Sequence, residues 1–423
     1  MATVGAGVLV ACPDGRQFGH LALELLMALT EARARRATLW LVPPPHPVNP
    51  ALLEVESPDV RIVRWPAVAR PVVRARLAIA GLPRAARFAR DAMIEAVFDQ
   101  AARDVTFHIE RSPIPETLRR HLRTMKQALG HRTRRPMPAP SPLYFRRRLI
   151  RDPLPTALRG DVLRRAEALA RAAGIPLDTP LATVHAREPG YKLHGREVHQ
   201  KAQMQATTKG YRDDSLRNAR IETYGPAIDL LVSRGYTVVR IGDPSMTPIR
   251  RDGLLDLATS PANDPLLQVY CLFRSRVLIS GESGPSAASY LAGAALLTVN
   301  ATDPIGSYPV RGSNLFLLKH VIDRAGGPLR PSDLLDEAYL SAIRSPDRFG
   351  YRDNTPEEIL QATYEILGRL DGQPDTPAQV RFRDAATLAA DRLKRQLGYV
   401  RKWGADDGFL GDGALVRFQA EES

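Results

Sequence analysis

Cysteine is almost missing from this chain: Cys12 and Cys271 are the only two among 423 residues, each in an apolar run. That excludes a disulfide scaffold and leaves two buried thiols, the pattern of a reducing compartment. Long hydrophobic runs are missing too. No window approaches the ~20 continuous apolar residues that a membrane span needs, and the first residues lack the basic segment of a secretory signal. The expectation is a cytoplasmic protein, with peripheral contact at the inner membrane as the one membrane association left open. Aromatics are sparse at 6%, so the stacking runs that accompany nucleic-acid binding are not there. There is no CxxC, no HExxH and no DxD triplet of the kind that holds a divalent ion, so no metal and no cofactor are expected. The GxGxxG and P-loop patterns are absent, as is a GxSxG nucleophile elbow.

What remains is an ordinary globular balance, 44% apolar and 25% charged, on a chain long enough for two cores. The formal charge is +13. Its whole excess falls between Arg70 and Arg151, which hold 19 basic and six acidic residues. Such clustering is more often a solvated face than a site. Its confinement still points to an anionic partner, and Arg146, Arg147 and Arg148, flanked by apolar side chains, suit docking on an anionic membrane surface.

Short, fully apolar segments punctuated by helical periodicity predict βα units. Val8–Val10, Thr38–Val42 and Arg61–Trp65 read as strands, with a helix from about Gly19 between the first two. Residues 132–155 hold six prolines and read as a linker. Beyond it, strands are expected at 181–186, 237–241, 277–280 and 296–299, alternating with helices. Continuous rather than alternating apolar strands imply burial on both faces, as in parallel sheets covered by helices. The fold expected is α/β of the GT-B type, two Rossmann-like doubly wound domains facing a cleft. The boundaries read are 1–155, 156–375, and a closing helix and tail at 376–423. Sugar-nucleotide epimerases and glycogen phosphorylases share that architecture.

Ligands of open α/β sheets sit at the carboxyl ends of the strands. Four clusters fall there. His185-Ala186-Arg187-Glu188 ends one strand, followed by Tyr191 and Lys192; an Arg fork suits phosphate. Gly242 and Asp243 end another, as a turn or a ribose contact. Gly281-Glu282-Ser283-Gly284-Pro285 joins a strand to a helix whose N-terminal amides suit a diphosphate. Asp14 and His20 follow the first strand, where either residue fits a general base; Glu188 is the third carboxylate or imidazole in that role.

Taken together, these residues resemble a bacterial glycosyltransferase family associated with surface polysaccharides. The shared run begins at His185-Ala186-Arg187-Glu188 with Gly190-Tyr191-Lys192. It continues through Tyr211-Arg212-Asp213, Arg217-Asn218 and Arg240-Ile241-Gly242-Asp243-Pro244 to Gly281, Ser283-Gly284 and Asn314–Lys319. Gly19-His20 in the N-terminal half is similar as well. The resemblance implies a nucleotide-sugar donor on the C-terminal sheet, a glycan or lipid-linked acceptor, and no essential metal. It also implies that Arg187 holds the donor diphosphate and that His20 lies in the cleft. Glu282 departs from the small polar residues usual in that turn. Two other readings stay open: a sugar-nucleotide epimerase on the same fold, and a non-enzymatic anion- or nucleic-acid-binding protein.

Overall fold

The computed structural model describes residues 8–11, 13, 17–44, 46–66, 153–189, 204–207, 210–304 and 313–397. Strand β1 (Val8–Ala11), helix α1 (Phe18–Ala34), β2 (Thr38–Leu41) and β4 (Ile62–Arg64) build a three-stranded parallel sheet in the order β1-β2-β4. A short pair, β3 (Val55–Glu56) and β5 (Ala157–Leu158), ties residues from either side of the basic segment together antiparallel. Helix α2 (Gly160–Ala172) follows.

The second sheet has six parallel strands. They are β6 (Leu181–His185), β9 (Thr237–Arg240), β10 (Leu254–Asp256), β11 (Ser275–Ser280), β12 (Ala295–Ala301) and β13 (Leu315–Leu318). Between β6 and β9 lies an antiparallel hairpin of β7 (Met204–Thr207) and β8 (Gly210–Asp213). The spatial order of the large sheet is β10-β9-β6-β11-β12-β13. Its strands run third, second, first, fourth, fifth, sixth in chain order, which is the doubly wound Rossmann order. The order reverses between β6 and β11, which are neighbours in register from Leu181 to His185. Every residue of β6 and β12 is buried, as the uninterrupted apolar pattern requires when helices cover both faces.

Helices α4 (Pro265–Arg274) and α5 (Gly284–Ala292) cover one face, while α3 (Gly225–Ser233) and α6 (Pro356–Leu370) cover the other. A Thr355–Glu358 capping box starts α6, the reciprocal arrangement that Thr-x-x-Glu encodes. Helix α7 (Pro377–Leu397) joins the same core, with Phe382 against Phe316. A small antiparallel sheet, β15-β14-β16, completes it from Gly327–Pro328, His320–Asp323 and Phe349–Arg352.

One contact links the two parallel sheets and positions the site. Helix α1 lies on α5 with Gly19 against Gly284. A Cβ on Gly19 would stand 3.0 Å from Gly284 Cα, and one on Gly284 would stand 3.2 Å from Gly19 N. Glycine at both positions allows the helices to touch backbone to backbone. Leu21, Leu25 and Leu29 of α1 then share one apolar cluster with Leu278, Leu291 and Leu296. Cys271 belongs to that cluster, fully buried, and burial pushes its thiol up to about 12; Cys12 lies outside the described residues. Among the described residues no helix is long and apolar enough to cross a membrane.

Candidate functional site

The switch point of the large sheet brings together the ends of β6 and β11. Strand β6 ends at His185 and β11 at Ser280, and four residues later α5 begins at Gly284. Ser283 occupies the N-cap of α5, yet its side chain makes no capping hydrogen bond. Its hydroxyl is drawn the other way, 2.9 Å from Ser280 Oγ and 3.2 Å from His185 Nδ1. A serine at this position ordinarily satisfies one of the orphan amides of the first turn. Here the Ser283 side chain does not do so, and the first turn holds no acidic residue. A helix start whose N-cap side chain is turned away has amides and a positive dipole end of the kind that suit an anion.

His185 is fitted to that holding role. It is 5% exposed, and burial pushes its pKa down to about 3, with the Arg240 and Arg187 charges adding to the effect. The ring is therefore neutral across the physiological range and presents one donor and one acceptor nitrogen.

A second helix N-terminus meets the first. The N-cap of α1, Gln17, makes no side-chain cap bond either, and the first turn of α1 also lacks an acidic residue. The Gly19–Gly284 contact sets the two positive ends side by side, and His20 is exposed on that first turn of α1. Two like dipole ends so close together are stabilised by an anion between them.

Glu282, the residue that departs from the expected small polar turn, does not face this point. Its carboxylate accepts from Thr302 Oγ1 at 2.6 Å and Asp303 N–H at 3.0 Å. It clamps the β11–α5 turn to the end of β12. Gly281 packs against the carbonyl of Arg217, so the 214–218 segment passes over the turn.

Arg187 is buried and committed to that segment: Nη1 donates to Asp214 O at 2.6 Å and to Asn218 Oδ1 at 2.7 Å. Glu188 is sealed into a different network. Its Oε1 accepts from Arg240 Nη2 at 2.8 Å, and its Oε2 accepts from the N–H and the hydroxyl of Thr247. Arg240, fully buried, also reaches Asp256 Oδ2 at 3.1 Å and Thr247 O. Three of the roughly four acceptor positions of the Glu188 carboxylate are thereby engaged. Asp243 closes a turn by accepting from Ser245 N–H at 2.9 Å, and Gly242 has φ +154° with Met246 where a Cβ would lie.

The structure therefore gathers His185, Gly281, Ser283, Gly284 and the start of α1 beside His20. Asp14, Tyr191, Lys192 and the Arg146–Arg148 run lie outside the described residues. Three further basic residues lie around the 214–218 segment: Arg217 and Lys319, both in the run that carries the resemblance, and Arg344. Lys319 pairs with Asp353, and Arg217 Nη2 lies 3.1 Å from Asp214 Oδ2. Arg344 comes from a segment with no motif, and only the three-dimensional structure brings it here. Among the described residues, no group of three His, Cys, Asp or Glu could hold a metal ion.

No protein-family model matches the chain, and no curated protein matches it. Several solved structures have a similar chain path. The E. coli ADP-heptose LPS heptosyltransferase II aligns at 12% identity and TM-score 0.43, over 86% of this chain and 100% of that one. A glycosyl transferase of family 9 from Veillonella parvula aligns at 11% identity and TM-score 0.33, over 69% and 80%. POFUT1 in complex with GDP aligns at 13% identity and TM-score 0.32, over 69% and 94%. With TM-scores this low, none of them assigns a family or an activity to the chain.

Proposed function

We propose that this protein is a glycosyltransferase that uses a nucleotide-diphosphate sugar, with the diphosphate seated where α5 and α1 begin. The observation that carries this reading is the orientation of Ser283. Its hydroxyl is turned onto His185 and Ser280, so α5 opens uncapped at the switch point of a doubly wound sheet. Donors fixed there stabilise the negative charge that develops on a departing nucleoside diphosphate. In this reading Arg187 works at one remove, holding the 214–218 segment over Gly281. His20, exposed on the first turn of α1, takes the proton from the acceptor hydroxyl, with Asp14 as the other candidate. The acceptor is a glycan or lipid-linked sugar of cell-surface polysaccharide assembly, transfer inverts the anomeric centre, and the chemistry needs no metal.

The test is a panel of UDP-, GDP-, ADP-, dTDP- and CMP-sugars, scored by thermal shift and by release of the nucleotide. One diphosphate sugar is expected to stabilise the protein and to be turned over without forming an epimeric sugar nucleotide. Turnover to an epimer would replace the proposal with the epimerase reading. Indifference to every member of the panel would remove it.

A further inference from the structure

Lys319 is buried at 3% exposure, a setting in which lysine is seldom found unless it is paired. Its root is rigid. It directly follows β13, and its N–H donates to Ala301 O at the end of β12, at 2.8 Å. Its ammonium pairs with Asp353. Asn354, the next residue, exchanges two 2.7 Å hydrogen bonds with Asn300 of β12 and donates a third to Leu318 O. A methionine would fill the same space without the cost of burying an ammonium, so the lysine calls for a task beyond packing. That task is visible at its tip, where Nζ reaches Asn218 O at 3.4 Å. Arg187, just past β6, holds the same stretch: Nη1 donates to Asn218 Oδ1, and the Arg187 carbonyl accepts from Ala219 N–H at 3.0 Å. Arg344 holds the other end. Its carbonyl accepts from Asp213 N–H at 2.8 Å, and its Nη1 lies 3.5 Å from Asp214 Oδ1. Between these anchors, Arg217 O lies 3.7 Å from where a Cβ on Gly281 would stand.

We infer that Lys319 is a positioning residue of the donor site: together with Arg187 it holds the 214–218 segment against the β11–α5 turn, so phosphate binding there depends on a cation that never touches the donor. This rests on the donor site proposed above. Strands β6 and β13 lie on opposite sides of β11 in the sheet. Asn218 is therefore anchored from both flanks of the strand that leads into Gly281 and Ser283. With either anchor gone, the segment shifts over the turn and the site loses its shape.

The test combines calorimetry, using the nucleoside diphosphate found by the panel, with hydrogen exchange. Lys319→Met and Arg187→Met are each expected to weaken the diphosphate about 10-fold. The double variant is expected to lose about 10-fold as well, not about 100-fold, because both residues act through one segment. Lys319→Arg is expected to recover part of the loss. In Lys319→Met the amides of Asp213, Asn218 and Ala219 should exchange faster while those of β6 and β12 stay protected. Wild-type affinity in Lys319→Met, losses that multiply in the double variant, or faster exchange spread equally over β6 and β12 overturns the proposal. If Lys319→Met does not fold, Lys319→Met with Asp353→Asn, which leaves no carboxylate without its cation, carries the same expectations; failure of that variant to fold shows a role in the fold alone and overturns the proposal too. If the wild-type protein binds no nucleotide, the glycosyltransferase reading fails on its own and inorganic pyrophosphate becomes the probe. Pyrophosphate binding that weakens in Lys319→Met keeps the positioning role at an anion site; no binding, or equal binding in the two proteins, removes it as well.

Discussion

His185 shows most clearly how a residue can be placed correctly by sequence and still do something the sequence does not state. Its position at a strand end marks it as a donor-binding candidate, and its ring reaches Ser283 and Ser280. The same holds for Arg187 and Glu188. Strand-end residues were legible as a set; their individual partners, such as the fully buried Arg240 that takes Glu188, depend on which strands become neighbours. Burial of a neutral His185 has a consequence for stability. With its folded pKa near 3 and an unfolded value near 6.5, the unfolded chain binds a proton that the folded one refuses. This contribution is intact above about pH 6.5 and is lost as pH falls toward 3, at up to about 1.4 kcal/mol per pH unit. Tm should therefore decline between pH 6.5 and 5, before most carboxylates titrate. His185→Gln, which hydrogen-bonds without titrating, should flatten that decline, and an unchanged slope in the variant would contradict the assignment.

At the scale of elements, the strands buried on both faces were the readable ones. The strands at 8, 38, 62, 181, 237, 275 and 295 all lie within two residues of where their apolar runs place them. Helix α5 starts at Gly284 with Pro285 in its first turn and ends at Gly293 with φ +89°, as proline and glycine punctuation predicts. Strand β10 and the β14–β16 sheet escaped notice. Leu254–Asp256 is three residues long, and β14 to β16 pair across distant turns with no alternation long enough to register. The packing of α1 on α5 was equally hidden, since a glycine pair 265 positions apart carries no local signal. It has a measurable consequence. Gly19→Ala puts a methyl group 3.0 Å from backbone that cannot swing aside, an overpacking that costs about 1–3 kcal/mol. The melting temperature should fall by several degrees, and nucleotide binding should weaken with it as the two helix starts separate. A variant as stable as wild type would show that the helices are not in backbone contact.

The whole molecule carries its +13 excess of charge between Arg70 and Arg151, a stretch of sequence that precedes every strand of the large sheet. A segment of that charge suits an anionic leaflet, where each Lys or Arg is worth about 1 kcal/mol. Liposome co-sedimentation should show binding that needs anionic lipid, fades with salt, and weakens when Arg146, Arg147 and Arg148 are all changed to Gln. Equal partition onto neutral and anionic vesicles, or onto neither, would leave the basic segment to a soluble acceptor. The doubly wound order of the large sheet followed from alternating strands and helices, and its switch point is where His185, Gly281, Ser283 and Gly284 meet. The join between the two sheets through α1 and α5 is what composition and periodicity could not supply.

The central claim is that α5 is left uncapped for a diphosphate, and Ser283→Asp tests it most directly. An aspartate at the N-cap supplies the carboxylate that the helix start lacks, which should stabilise α5 by about 0.5–2 kcal/mol while occupying the place of the phosphate. The account predicts that Tm rises and that calorimetric binding of the nucleoside diphosphate disappears in the same protein. Retained diphosphate affinity in a folded, stabilised Ser283→Asp variant would contradict it.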